Sequence, residues 1–216
     1  INHYKLQQEG QNAFHTGLCA ADLASDAAYR SFVMSSGAAL SRSEIRVRLG
    51  AKEADCTLNG ACLLSGRMHC DNTTDVEHAA TDCTSHQHYK SVVDGRGRSV
   101  FQGRVLVQPD AQRTDAHQLN RNLLLAETAR ADTKPELVIH ADDVKCSHGA
   151  TVGDLDRDAL FYLRSRGLDP AAARALLIEG FIGELLDDIE QPAIAAHLRA
   201  ILNDWQGARS SQSEAA

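Results

Sequence analysis

The stretch Glu44-Ile45-Arg46-Val47-Arg48-Leu49-Gly50 decides the first question about this chain. Ile45, Val47 and Leu49 alternate with Glu44, Arg46 and Arg48, and Gly50 closes the run. Period two predicts a strand with one dry and one wet face, because successive side chains leave a pleated backbone on opposite sides. The pattern returns on both sides of this stretch. Ala54, Cys56 and Leu58 alternate with Asp55, Thr57 and Asn59; Val105 and Val107 follow Gly103; Leu137 and Ile139 alternate with Glu136, Val138 and His140. Turn signals fall at Gly50, Asn59-Gly60, Ser65-Gly66, Asp94-Gly95 and Pro109-Asp110. Ile1 to Gln7 also reads as the interior of a strand, so the chain is expected to be a fragment of something longer. With no long helix-period stretch among the strands, a βαβ sheet is disfavoured. A sandwich, a barrel and a β-solenoid all fit. No fixed-length repeat is visible, so a solenoid would have irregular turns.

From about residue 154 the period becomes helical. Asp156 can cap a first helix that carries Leu160, Phe161 and Leu163 and stops at Gly167. Asp169-Pro170 is a cap and first-turn pair for a second helix, with Leu176, Leu177, Phe181 and Leu185 on the expected buried face. Pro192 opens a third, where Ile194, Leu198, Ile201, Leu202 and Trp205 form the stripe and Gly207 the expected end. The division expected is a β region at 1–153, a helical region at 154–206 and a disordered tail at 207–216.

Lys and Arg number 22 against 29 Asp and Glu among 216 residues, a net charge of -7. That balance argues against a general nucleic-acid binder, which needs a basic footprint. No apolar run approaches the roughly 18 residues of a membrane span, and no secretory signal opens the chain. The six cysteines contain no C-x-x-C pair, so neither a zinc ribbon nor a thioredoxin-type couple is indicated. They read as mostly reduced, buried thiols of a cytoplasmic protein.

Missing motifs narrow the chemistry. There is no P-loop, no H-E-x-x-H and no G-x-S-x-G. Asp154-Leu155-Asp156-Arg157-Asp158 resembles the start of a calcium loop but has Ala159 and Ser165 where such a loop needs Gly and Glu, so it reads as acids at a helix start. Cys146-Ser147-His148 is the sharpest positive feature. In a strand, residues two apart share a face, so a thiolate and an imidazole could meet one metal, and both suit iron–sulfur centres. Two donors do not complete a site; a second chain would have to supply the rest. His69, Cys70, His78, Cys83, His86 and His88 form a looser group, which alternation should scatter over opposite faces; a structural role is expected for them. Arg113, Asp115, Asn120 and Arg121 read as turn hydrogen bonding, and Met68 and Trp205 as core.

The segments Thr114-Asp115-Ala116, Asn120-Arg121-Asn122-Leu123-Leu124-Leu125, Asp132-Thr133-Lys134-Pro135-Glu136-Leu137 and Ala141 to Gly153, then Leu160-Phe161-Tyr162-Leu163-Arg164-Ser165-Arg166-Gly167, closely resemble the SufB/SufD family. The resemblance runs from the His3-Tyr4 strand to about Leu186. Lys145-Cys146-Ser147-His148-Gly149-Ala150-Thr151-Val152-Gly153 looks like the SufD branch; SufB-type chains carry Glu-Ala-Thr there, and a cysteine where this chain has Leu163.

The resemblance implies a mainly β fold, a right-handed parallel β-helix followed by a small C-terminal helical domain. It implies a non-catalytic scaffold subunit for iron–sulfur cluster assembly that pairs with a SufB-like subunit through the C-terminal part of the β-helix and docks the SufC ABC-type ATPase. Cys146 and His148 would be ligands of a transient, shared cluster. Phe161, Tyr162, Arg164 and Arg166 would belong to the ATPase-docking helices. Reduced flavin is linked to such complexes, and isolated SufD-like chains can pair with themselves. Relative to the family the chain is N-terminally truncated and should expose an unpaired first turn. A SufB-type paralogue and a metal-dependent β-helix enzyme using the His/Cys group are the alternative readings.

Overall fold

The computed structural model describes the backbone of residues 1–214 and the side chains of residues 1–209; Ala215 and Ala216, the end of the expected tail, lie outside the described residues. Eleven strands precede three helices. The strands are β1 (Asn2–Gln7), β2 (Phe14–Leu23), β3 (Ala28–Ser35), β4 (Leu40–Leu49), β5 (Asp55–Leu64), β6 (His69–His78), β7 (Thr84–Val93), β8 (Arg98–Val107), β9 (Thr114–Leu124), β10 (Arg130–Ile139) and β11 (Val144–Gly153). The helices are α1 (Arg157–Ser165), α2 (Pro170–Asp187) and α3 (Pro192–Glu214).

Odd strands form one sheet, in the order β1-β3-β5-β7-β9-β11, and even strands a second, β10-β8-β6-β4-β2. All pairings are parallel, and each strand pairs with the strand two later. The chain is therefore a parallel β-solenoid of about five turns, which resolves the three all-β possibilities. Stacked partners are between 26 residues apart (Phe14↔Leu40) and 32 apart (Arg98↔Arg130). That drift is why no fixed period shows in the sequence.

The alternation predicted around Ile45 holds: Ile45, Val47 and Leu49 are buried between the sheets with Cys56, Leu58, Tyr89, Phe101 and Val105. The turns before the odd strands repeat one backbone device. Asp26, Glu53, Asp82 and Arg113 each adopt the left-handed conformation, with φ of 60, 61, 61 and 57°. Each N–H donates to a carbonyl one turn on: Lys52, Thr81, Gln112 and Asp143 respectively. Four side chains in a region that L-residues rarely occupy are held there by this ladder of bonds. At the other corner, glycine takes the same role: Gly66 and Gly95 have φ of 61 and 64°.

Asn59-Gly60 is not the turn its sequence suggests. It lies inside β5, because a Cβ on Gly60 would come within 2.4 Å of the Tyr89 ring. Gly60 is the space that ring needs. Likewise Asp115, Asn120 and Arg121 belong to β9, not to a turn.

The outer faces of the two sheets differ. On the even-strand sheet, charges of opposite sign stack from turn to turn: Arg104 pairs bidentately with Asp75 (3.0 and 2.7 Å), Arg98 with Asp132 (2.7 Å), and Arg48 lies between Asp22 and Glu77. Each exposed pair contributes little stability, but the face is solvated and internally matched. On the odd-strand sheet, the second halves of β3, β5, β7 and β9 are covered. Phe32, Met34, Ala61, Leu63, Val92 and Leu123 pack against Ile178, Ile182, Leu185, Leu186, Leu198, Ile201 and Leu202 of the helices.

The helix caps fall where the sequence puts them. Asp156 Oδ1 accepts from the N–H of Asp158 and Ala159, and Asp169 Oδ1 from Ala171 and Ala172. Gly167, with φ 92°, follows α1. The buried face of α2 overlaps the expected one: Leu185 is buried and Leu177 and Phe181 pack half-buried, but Ile178, Ile182 and Leu186 are buried as well and Leu176 is 47% exposed. α3 continues past Gly207 to Glu214, so this glycine does not end it. One helix-to-sheet contact is ionic. Lys90, fully buried on β7, donates from Nζ to the Phe181 carbonyl (2.7 Å) and to Glu184, and lies 5.0 Å from the Phe181 ring centre.

Two measurements test this packing. Gly60→Ala should destabilise by about 1–3 kcal/mol, the usual cost of overpacking a tight core; a urea melt matching the parent would exclude the Tyr89 contact. His78 is buried inside the solenoid, with Nε2 2.8 Å from Ser85 Oγ, and burial depresses its pKa to about 4. The unfolded chain binds that proton near the ordinary pKa of about 6.5. The stabilising term is therefore present above pH 6.5 and falls away between 6.5 and 4, costing about 2 kcal/mol by pH 5. His78→Asn should flatten that part of the stability profile; an unchanged slope between pH 7 and 5 would refute the assignment.

Candidate functional site

Cys146 and His148 stand two residues apart on β11, the last strand of the odd sheet. β11 pairs with β9 alone and leaves its other edge open. In register, Cys146 sits beside Ala116 and His148 beside Gln118, both buried between the sheets. The two residues thus belong to the inner face, at the turn where nothing stacks further on. Cys146 is half-buried against the core, while His148 is exposed. Burial, and then the nearby Asp115 carboxylate, push the Cys146 thiol above its ordinary pKa, so any metal bound there would have to displace a proton.

The open end is also apolar at its rim. Val152 on β11 is 48% exposed, and Val138 and Ile139 on β10 are 38% and 40% exposed. β10 is the other terminal strand, and it carries Pro135 in its middle. Proline cannot donate to a ladder and is confined to edges, so it blunts strand addition there. β11 has no proline.

The Ser147–Gly149 stretch of β11 also borders a groove on the outer face of the odd-strand sheet, over the half of the strands that the helices leave uncovered. His86 and His117 are adjacent in register and stack with ring centres 5.4 Å apart. His117 Nδ1 lies 2.6 Å from Ser147 Oγ and its Nε2 lies 2.7 Å from Asp115 Oδ1. His88 lies one position pair further along, and burial, then Lys90, lower its pKa. Asp188, just past α2, closes the groove. His117 was not singled out by the sequence. Its relation to His86 exists only because their spacing of 31 residues equals one turn here.

The looser His/Cys group does scatter. Cys70 and His78 are buried from the even-strand sheet, Cys83 is buried in a turn, His69 is half-buried on β6, and His86 and His88 are on the outer face of the other sheet. Among the described residues no three or more His, Cys, Asp or Glu side chains are grouped to hold a metal ion. A metal held by Cys146 and His148 would find two donors there, and the others would have to come from outside the described residues.

The four helical residues implied by the resemblance lie together. Phe161 and Tyr162 on α1 are 75% and 56% exposed, and Arg164 is exposed beside them. The Arg166 guanidinium lies 5.2 Å from the Tyr162 ring centre. No residue of α1 is fully buried. No described helix is long and apolar enough to cross a membrane.

Comparison with known proteins gives a consistent result. The family model for the SufBD core domain of the SUF system, FeS cluster assembly, matches residues 1–181. A SufBD family iron–sulfur cluster assembly protein of Synechocystis is 39% identical over 199 residues, covering 92% of this chain and 44% of that protein. The iron–sulfur cluster assembly protein SufD of Escherichia coli is 36% identical over 200 residues, covering 93% and 47%. A SufBD family protein of Mycobacterium leprae is 35% identical over 188 residues, covering 83% and 48%. The chain spans just under half the length of these relatives.

Proposed function

The chain belongs to the SufBD core family of the SUF system for iron–sulfur cluster assembly, and on that premise we propose that it is a SufD-type, non-catalytic scaffold subunit of a cytoplasmic SufB–SufC–SufD complex. The observation that carries this reading is the position of Cys146 and His148 on an unpaired edge strand at the open end of a solenoid. A SufB-like subunit would close that end, covering Val138, Ile139 and Val152 and bringing the missing donors. Without it, the same edge can pair with a second copy of this chain.

The nascent cluster is cargo in this reading. His148 offers an imidazole without rearrangement. Cys146 offers sulfur once its proton is displaced. Both donors suit iron–sulfur chemistry. Reduced flavin does not suit the cleft that the described residues form beside Arg121. In the cleft between the end of β11 and α2, the guanidinium of Arg121 is already paired with Glu184 at 3.4 Å, and Asp154 and Asp156 stand beside it. A flavin phosphate would meet net negative charge.

SufC would dock on the exposed α1 surface around Phe161, Tyr162, Arg164 and Arg166. ATP-driven pairing of two such ATPases would then pull on the helices. The buried Lys90 fastens α2 to β7, and Arg121 of β9 reaches the same Glu184. Force on the helices thus enters strands next to β11 and can open the seam, as packed elements move as rigid bodies.

Two experiments test the reading. In the co-expressed complex, His148→Ala should leave assembly intact and lower cluster maturation roughly tenfold or more; full maturation would remove His148 from the ligand set. The Phe161→Ala, Tyr162→Ala double variant should lose the ATPase on co-purification and keep the SufB-like partner. Retention of the ATPase would move its docking surface off α1.

A further inference from the structure

One pair of thiols has no part in the seam. Cys62 lies near the end of β5, and Cys70 near the start of β6, across the corner that joins the two sheets. Each is 1% exposed, and their Sγ atoms lie 2.9 Å apart. The approach belongs to the backbone of the corner. One turn on, the register partners Ser91 and Ser99 hold their Oγ atoms 2.7 Å apart. A disulfide needs a sulfur separation of about 2.05 Å, so less than about 1 Å of movement separates the thiols from a bond.

The surroundings distinguish the two sulfurs. Asn72 Nδ2 donates to Cys62 Sγ at 3.0 Å and lies 3.6 Å from Cys70 Sγ. Hydrogen bonds from Cys70 and then Asn72 draw the Cys62 pKa below the ordinary thiol value against the effect of burial. Cys70 is pushed well above it, first by its bond to Cys62 and then by burial. Asn72, the nearer donor to Cys62, would stabilise a thiolate there, which places Cys62 as the attacking sulfur. The turn Ser65–Met68 lies directly over the pair, closed by the Met68 N–H to the Ser65 carbonyl (3.2 Å). Local opening of such a turn admits a water-sized reagent without global unfolding.

We propose that Cys62 and Cys70 are a reversible dithiol–disulfide couple, oxidised by a peroxide, that staples the two sheets of the solenoid at this corner. The Cys62 thiolate attacks one peroxide oxygen; the O–O bond breaks, and the departing hydroxide takes up a proton to leave as water. Cys62 is then a sulfenic acid. Cys70 sulfur attacks Cys62 sulfur, the S–O bond breaks, and the hydroxyl leaves with the Cys70 proton as a second water. Two thiols lose two electrons and two protons in all, and one peroxide becomes two waters. Two equivalents of a small thiol reverse the change by exchange.

The test treats the native full-length protein with hydrogen peroxide and maps its cysteines by mass spectrometry without reduction. The expected product is a Cys62–Cys70 disulfide, about 2 Da lighter than the dithiol, formed before Cys19 or Cys146 reacts although both are more exposed, and lost on treatment with dithiothreitol. Oxidation of Cys19 and Cys146 with Cys62 and Cys70 still labelled as thiols would overturn the proposal. Asn72→Leu should slow disulfide formation about threefold, since the loss of thiolate is partly offset by a more nucleophilic sulfur. An unchanged rate would remove Cys62 as the attacking sulfur. Should that variant fail to fold, mapping of the parent protein still decides the matter.

Discussion

Everything in this molecule depends on the parallel, in-register stacking of one turn on the next. Each turn satisfies its backbone N–H and C=O groups with the turn before and the turn after, and places like side chains in columns. The stacking cannot end itself. A sandwich can turn its edge strands away, and a barrel closes, but a solenoid presents a full ladder of unpaired groups at each terminal turn. Such an end must be blunted, covered or used. Here β10 is blunted by Pro135 and β11 is not. Of the two strands at this end, the one free to pair bears Cys146 and His148.

The columns also explain which parts of the fold the sequence disclosed. Alternation within a strand is local, so Ile45, Val47 and Leu49 were legible as an inward row. Helix caps are local too, and Asp156 and Asp169 bond as their positions suggested. Pairing between turns is not local. Its offset drifts from turn to turn, so no repeat could be counted, and the resemblance to a family was needed to choose a solenoid among the all-β folds. Gly60 shows the same limit from another side. Asn-Gly is a strong turn signal, yet its meaning here is set by Tyr89, which lies a full turn away in the stack. The face of α2 was read only in part for a related reason: the apolar half of the odd-strand sheet also takes Ile178, Ile182 and Leu186 and leaves Leu176 out, and a nearly all-apolar helix has several faces it could offer.

The candidate site divides in the same way. The Cys-x-His spacing is a two-residue pattern within one strand, and the strand formed where it was expected. The imidazole groove around His86, His117 and Ser147 is assembled from three turns, and no window of sequence contains it. The opposite case is equally physical. His69 to His88 look like a cluster because they are close in sequence, but a strand, a corner and another strand intervene, and the solenoid distributes them to its two sheets. Nearness along the chain means little in this fold; nearness at one turn's remove means a great deal.

The difference between the two outer faces then bears on function. The even-strand sheet matches its own charges from turn to turn, Asp75 with Arg104 and Asp132 with Arg98, so a partner docking there would have to break existing pairs. The odd-strand sheet carries the helices on one half, fastened through buried Lys90, and an uncovered groove on the other half that runs to β11. A helix displaced by an ATPase would disturb the odd-strand sheet directly and the even-strand sheet only through the corners. The corners are where Cys62 meets Cys70 and Ser91 meets Ser99. Their stiffness sets how far a pull on one sheet is shared by the other, and so whether motion of the helices is spent in bending the solenoid or delivered to its open end.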